Sequence, residues 1–230
     1  MNLPEIAREV RKDILLEVYS AKSGHPGGAL SCADILTAIY FHLIEEGDKV
    51  ILSKGHASAA LYAVLAEVGF FPKEELKNFR KLGSILQGHP SYVKTPGVDI
   101  SSGSLGQGLS IANGIALGFQ LDQKEKHVYV ILGDGEIQEG QVWEAMMTAN
   151  KYKLNHVICF LDYNKLQISG TNDEVMPIEP LKKKFDAFGF YTQEIDGHNF
   201  DEIIEAVGKA KKQKKPRRWS ALAKHINTWT

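Results

Sequence analysis

Two polar residues stand where buried apolar runs end, and their side chains suit one task. The run Val128 to Leu132 ends in Gly133-Asp134-Gly135, and the run His156 to Leu161 ends in Asp162-Tyr163-Asn164. Asp134 offers a carboxylate and Asn164 a side-chain carbonyl, both hard oxygen donors suited to an octahedral divalent cation such as Mg2+. Magnesium takes few protein ligands and keeps positions for phosphate oxygens, so a diphosphate ligand is implied with it. Gly133 and Gly135 lack a Cβ and let the backbone approach that diphosphate closely. Gly-Asp-Gly alone is a common turn. Its position after an apolar run, with an asparagine closing the next run, is what points to chemistry.

The histidines give a second, independent signal. Four of the eight (His25, His56, His89 and His198) directly follow a glycine, against about 0.7 expected by chance from 21 glycines in 230 residues. A Gly-His step favours a tight turn from which an imidazole projects, and a neutral imidazole can hydrogen-bond hydroxyls and phosphates or move protons near neutral pH. Three of the four lie in Gly-rich stretches upstream of Val128. No His-x-x-x-His or paired-cysteine spacing supports zinc as the alternative.

The elements that must position these groups follow from periodicity. Ile6, Val10, Ile14 and Val18 line one face of a helix that starts near Pro4. Ser31, three residues before Asp34, predicts a capping box for a helix carrying Ile35, Leu36, Ile39, Tyr40 and Leu43. Further helices are expected over 57–68, from Pro72 toward Arg80, over 106–121 after a Gly-, Ser- and Pro-rich loop (88–110), and over 139–152. The apolar runs at 128–132 and 156–161 flank that last helix in βαβ order, and runs buried on both faces imply a parallel sheet between helix layers. A helix over 181–188, a strand over 191–195 and a helix from Phe200, capped by Asn199 and Glu202, continue the alternation. The fold class is α/β.

Composition narrows the function classes. The 230 residues carry a net charge of -1, with 43% hydrophobic and 24% charged residues, which suits one domain with a sizeable core. That balance gives no field for nucleic acid or acidic membranes. No apolar run approaches a bilayer span, and the polar amphipathic start lacks an export h-region, so a cytoplasmic location is expected. Cys32 and Cys159 sit in apolar stretches and read as reduced core residues. The basic run from Lys211 to Arg218, followed by Trp219, reads as a solvated helix end and tail rather than a nucleic-acid contact.

Six motifs in order then carry a resemblance. Ser23-Gly24-His25-Pro26-Gly27, Ser53-Lys54-Gly55-His56-Ala57, Gly88-His89-Pro90, Gly103-Ser104-Leu105-Gly106-Gln107-Gly108, Gly133-Asp134-Gly135 and Asp162-Tyr163-Asn164-Lys165 resemble the thiamine-diphosphate-binding domain of transketolases. The likeness runs from the first helix to about Pro216, defining a pyrophosphate-binding domain over 1–216 and a divergent tail over 217–230. It implies thiamine diphosphate and Mg2+ as cofactors, with Ca2+ or Mn2+ as substitutes in the same site.

Carried over residue by residue, the resemblance gives the metal to Asp134, Asn164 and the carbonyl of Leu166. The diphosphate falls to Gly135 and His56, beside Gly133, and the aminopyrimidine ring to Gly103 and Leu105. His25 and His89 face the sugar hydroxyls. Glu139 meets the catalytic carboxylate of a partner domain, and Glu144 sits at a subunit contact. The implied reaction breaks the C2–C3 bond of a ketose phosphate and passes a two-carbon ketol unit to an aldose phosphate, as in pentose phosphate metabolism. The family's pyrimidine-binding domain has no counterpart within these residues. The resemblance therefore implies half a site, completed by a separate C-terminal transketolase subunit in a heterotetramer, with self-association of the chain and no activity alone.

Beyond Lys215-Pro216 the family's Val- and Ile-rich strand pattern gives way to Arg217-Arg218-Trp219-Ser220, so a strand there is not expected. Two other readings stand beside the leading one: a deoxyxylulose-phosphate-synthase-like subunit, and a non-catalytic cofactor-binding or assembly subunit.

Overall fold

Apolar residues at alternating positions fix which side of the sheet each strand residue faces. In a computed structural model, which describes residues 2–212 and the backbone of 221–224, strand β1 (Lys49–Leu52) sends Val50 and Leu52 to one core and Ile51 to the other. Strand β2 (Val128–Gly133) sends Tyr129 and Ile131 to the first core and Val128, Val130 and Leu132 to the second. Strand β3 (Val157–Tyr163) repeats the division, with Ile158 and Phe160 opposite Val157, Cys159 and Leu161. A strand with both faces covered is a continuous apolar run, the pattern of a parallel sheet between helices.

Helices α1 (Leu3–Ala21), α2 (Pro26–Ser31), α3 (Ala33–Ala38) and α4 (Ser58–Val68) build the first layer. Helices α5 (Gly108–Leu121) and α6 (Gly140–Tyr152) build the second. After β3 come a two-stranded hairpin, β4 (Leu166–Gln167) with β5 (Gly170–Thr171), the single turn α7 (Asn172–Val175) and α8 (Leu181–Ala187), whose Phe185 joins the second layer. Strand β6 (Gln193–Asp196) leads to α9 (Phe200–Lys212) on the first layer, and β7 (Ala221–Lys224) follows.

The main sheet has the order β1-β2-β3-β7-β6 and is parallel at every pairing. All its strands therefore point their carboxyl ends to one edge, where a parallel α/β sheet collects ligands.

Most expected elements lie where periodicity put them. Asn2 caps α1, with its Oδ1 accepting from Glu5 N at 3.0 Å. Asn199 accepts from Asp201 N at 3.1 Å and Glu202 reaches back to Asp196 N at 2.9 Å, as expected for the start of α9. Both cysteines are free and buried.

Four details differ. Ser31 caps no helix: its hydroxyl donates to Asp162 Oδ1 at 2.7 Å and its oxygen accepts from Asn164 Nδ2 at 3.4 Å, so the side chain turns to the β3 tip instead of the helix N–H groups a cap would serve. Asp34 is taken by Arg11 and by His198, whose Nδ1 lies 2.6 Å away. The helix expected from Pro72 forms as a short 3-10 helix over Lys73–Asn78, not as an α-helix reaching Arg80. Residues 221–224, assigned by sequence to the divergent tail, form the strand between β3 and β6. An open slot between two parallel strands supplies ladder partners on both sides, which outweighs the weak β-propensity of Ala-Leu-Ala-Lys. Residues 213–218, with most of the basic run, fall outside the described residues, as does Trp219.

Candidate functional site

Three strand exits meet at the carboxyl edge. In the β2/β3 register Gly133 stands opposite Asp162, so Asp134 and Asn164 leave neighbouring strand tips as the sequence predicts. Asp134 is buried, and its carboxylate is held by three N–H donors. Oδ1 accepts from Gly135 N at 2.8 Å, and Oδ2 accepts from Lys165 N at 2.8 Å and from Asn172 Nδ2 at 2.8 Å. Lys165 takes a left-handed turn (φ 65), which aims its N–H back at Asp134. Asn164 Oδ1 accepts from Leu166 N at 2.9 Å, so the 164–166 turn is tied to itself as well.

Among the described residues none forms an ion pair with Asp134, and the adjacent Lys54 is engaged with Asp162 instead. Burial pushes the Asp134 carboxyl above its usual range, with hydrogen bonds from Asn172 and Gly135 opposing and the Asp162 charge adding. A buried carboxylate, rigidly oriented but without a cation, is the expected form of a metal ligand before the metal is considered. With the Asn164 side-chain oxygen and the Leu166 carbonyl on the adjoining turn, the donors that would hold a cation are all oxygens, the type that suits Mg2+. The residues fit Mg2+.

Three of the four Gly-His histidines lie close together. His25 and His56 meet edge to face with ring centroids 5.5 Å apart. A Cβ built on Gly28 would lie 3.2 Å from His56 Nε2, and one on Gly103 would lie 3.1 Å from His89 Cγ. Glycines therefore make room for both imidazoles. Burial lowers the His56 pKa to about 4, with Lys54, His25 and His89 adding to the fall and Asp162 opposing it. His89 is lowered too, by partial desolvation and then by the charges of Arg80 and His25. Both imidazoles are thus neutral donors and acceptors at neutral pH. The fourth Gly-His histidine, His198, is bound to Asp34 rather than joined to this group.

Leu105 is partly buried in the turn that precedes α5, while Glu139 and Glu144 are exposed at the start and middle of α6. Gly106 (φ +82) abuts Glu139, whose Cβ would be 2.9 Å from an added methyl. His25, His89, Glu139 and Leu166 all remain exposed around the buried tips.

Sequence reasoning missed the residues that hold this site together. Lys54, 2% exposed, donates to Asp162 and to Gly28 O at 2.7 Å. Glu136, also 2% exposed, accepts from three groups on three segments. Asn172 is buried against Asp134. The available signal was their position: each charged member lies inside a motif already singled out or within two residues of one, in otherwise apolar or glycine-rich sequence.

Comparison with known proteins agrees with this geometry. The family model described as "Transketolase, thiamine diphosphate binding domain" matches residues 5–221. The chain is 46% identical over 226 residues to 6-deoxy-6-sulfo-D-fructose transketolase subunit SqwG of Clostridium sp. (strain MSTE9), covering 94% of this chain and 82% of that one. It is 40% identical over 203 residues to one subunit of the apulose-4-phosphate transketolase of Phocaeicola vulgatus, covering 84% and 72%. Among solved structures, the transketolase of Campylobacter jejuni superposes with a TM-score of 0.90 at 36% identity, covering 97% of this chain but 38% of that longer one.

Proposed function

Because the chain belongs to the transketolase family, matched along the family's thiamine-diphosphate-binding domain, we propose that it is the pyrophosphate-binding subunit of a split transketolase. In this reading it moves two-carbon ketol units between phosphorylated sugars with thiamine diphosphate and Mg2+. The single observation that carries the reading is the buried Asp134 carboxylate, oriented by three N–H donors beside the Asn164–Leu166 turn and lacking an ion-pair partner among the described residues.

Asp134, Asn164 and the Leu166 carbonyl would hold the metal. Gly135 and His56 would meet the diphosphate beside Gly133, and Gly103 with Leu105 would line the aminopyrimidine ring. Bound thiamine diphosphate supplies the carbon nucleophile that makes and breaks bonds next to a ketone. The chain's own residues bind and orient. His56, neutral above about pH 4, would donate a hydrogen bond to a phosphate oxygen through its ring N–H. His25 and His89 would face the sugar, where an imidazole can hydrogen-bond hydroxyls and carry protons.

Two of these relatives are named as subunits, and the chain spans 38% of the matched single-chain enzyme. The subunit names support a separate partner bearing the pyrimidine-binding domain, which Glu139 would approach across the interface, with Glu144 at a contact between copies. A heterotetramer that is inactive as isolated chains, in a cytoplasmic setting, completes the proposal. No helix among the described residues is long and apolar enough to cross a membrane.

Calorimetry tests the reading. Thiamine diphosphate should bind only with Mg2+, and Asp134→Asn should abolish the Mg2+ dependence. Binding of equal strength in chelator would refute the metal assignment. Sugar-phosphate transfer should require addition of the partner; full-rate transfer by the chain alone would refute the half-site.

A further inference from the structure

One buried carboxylate receives hydrogen bonds from three separate segments of the site, and the family resemblance gives it no task. Glu136 lies two residues beyond Asp134 and is 2% exposed. Its Oε1 accepts from the Ser53 hydroxyl and from Gly106 N at 2.9 Å, and its Oε2 accepts from Gly133 N at 3.1 Å. Ser53 Oγ accepts in turn from Gly108 N at 3.2 Å. The exit of β1, the tip of β2 and the turn over 103–108 are thereby pinned to one side chain. That turn contains Gly103 and Leu105, and through Gly106 it abuts Glu139.

We propose that Glu136 is a positioning residue for cofactor binding: it locks the turn that lines the aminopyrimidine ring onto the strand tip that faces the diphosphate. The inference rests on the cofactor assignment proposed above and adds a residue that never touches the cofactor. The chemistry of the side chain explains why a carboxylate is needed. Three donors converge on two oxygens, and two of them, the N–H groups of Gly106 and Gly133, cannot reverse their direction. A carboxylate is acceptor-only. Glutamine has the same shape but presents an NH2 to one of those N–H groups in either orientation of its amide. Two donors then face each other in a buried place, so the turn or the tip must move. A displaced turn would misplace the ring while leaving the diphosphate end bound, or the reverse, and either weakens binding of the whole cofactor.

The test uses Glu136→Gln and Ser53→Ala chains, each assembled with the pyrimidine-domain partner. Thiamine diphosphate Kd at saturating Mg2+, donor-sugar KM at saturating cofactor, and the cofactor-free thermal midpoint are measured together. Glu136→Gln should weaken cofactor binding by about tenfold or more, with the donor-sugar KM within about twofold of the parent. Ser53→Ala, which removes one donor without opposing another, should weaken it by a smaller factor in the same direction, and it decides the matter if Glu136→Gln does not fold. A lowered thermal midpoint with unchanged cofactor Kd in the folded variant would overturn the proposal and leave Glu136 purely structural. Failure of the unaltered assembly to bind thiamine diphosphate would instead overturn the cofactor assignment itself.

Discussion

Glu17 offers the sharpest quantitative test, because it breaks a rule of protein interiors. It completes the buried stripe Ile6, Val10, Ile14 of α1 with 0% exposure, and neither carboxyl oxygen has a hydrogen-bond partner among the described residues. Burial raises its pKa well above the ordinary 4.5, and the charge of Asp13 one turn earlier adds to the rise. The folded state therefore holds the Glu17 proton more tightly than the unfolded chain does. Stability from this residue is intact below 4.5 and falls as pH rises through the folded-state value, by up to about 1.4 kcal/mol per pH unit. Replacing Glu17 with methionine keeps an unbranched chain of similar length and removes the unpaired polar atoms. An unsatisfied buried group costs about 1–3 kcal/mol, so Glu17→Met should stabilise the chain by about that much at neutral pH. Urea unfolding from about pH 5 to about pH 8 should show a falling stability for the parent and a flatter profile for Glu17→Met. Glu17→Gln should flatten the slope without the full gain, since its amide remains unpaired. A destabilised Glu17→Met chain, or parallel pH slopes for parent and variant, would refute the reasoning and reveal a partner for the carboxyl.

Other expectations follow from the same geometry. Arg80, bonded to Ser23 Oγ at 3.1 Å and lying against Gly88, places a fixed charge behind His89. Arg80→Met should raise the His89 pKa, seen as an upward shift of its imidazole resonance titration; Arg80→Lys should shift it less, and no shift would discount the charge effect. Gly55→Ala should cost about 1–3 kcal/mol, because its new methyl would lie 2.8 Å from Gly103 N and 2.9 Å from Ser102 C, backbone atoms that cannot step aside. Gly208→Ala in α9, where a methyl meets nothing within 4 Å, should instead stabilise by about 0.5–1 kcal/mol. Equal thermal shifts for the two glycine variants would contradict the crowding at Gly55.

The sheet was readable wherever a strand was long and apolar on both faces. Val128 to Leu132 and His156 to Leu161 declared themselves because burial on two sides leaves no polar position to confuse the pattern. Strand β1 escaped notice: four residues between Glu-Glu-Gly-Asp and Ser-Lys-Gly are too few for a period to show. Strand β7 escaped because its ladder is set by neighbours distant in sequence, not by its own residues. On α1 the every-fourth-residue pattern overshoots a turn by about 40° each step, so the stripe drifts and Glu17 takes the last buried place ahead of Val18. The residues proposed for the metal, and the Gly-His histidines, drew attention in the sequence because glycine-flanked polar groups stand out. The roles of Lys54, Glu136 and Asp162 were not, because a charge is expected at the surface until its partners are known, and the decisive partners lie 30 to 108 positions away.

That division between legible and hidden residues matches a division of labour under the proposed function. Asp134, Glu136, Lys54 and Asp162 are buried and bound to protein partners, so the tips and the 103–108 turn are set by the chain alone. His25, His89, Glu139 and Leu166 rim those tips and stay exposed. Groups that must grip a cofactor gain from being fixed before it arrives, since ordering on binding subtracts from affinity. Groups that meet a sugar or a second subunit must remain reachable until both are present. Under that proposal the buried tips would organise the pyrophosphate end of the cofactor pocket and the exposed rim would be left for a partner to complete.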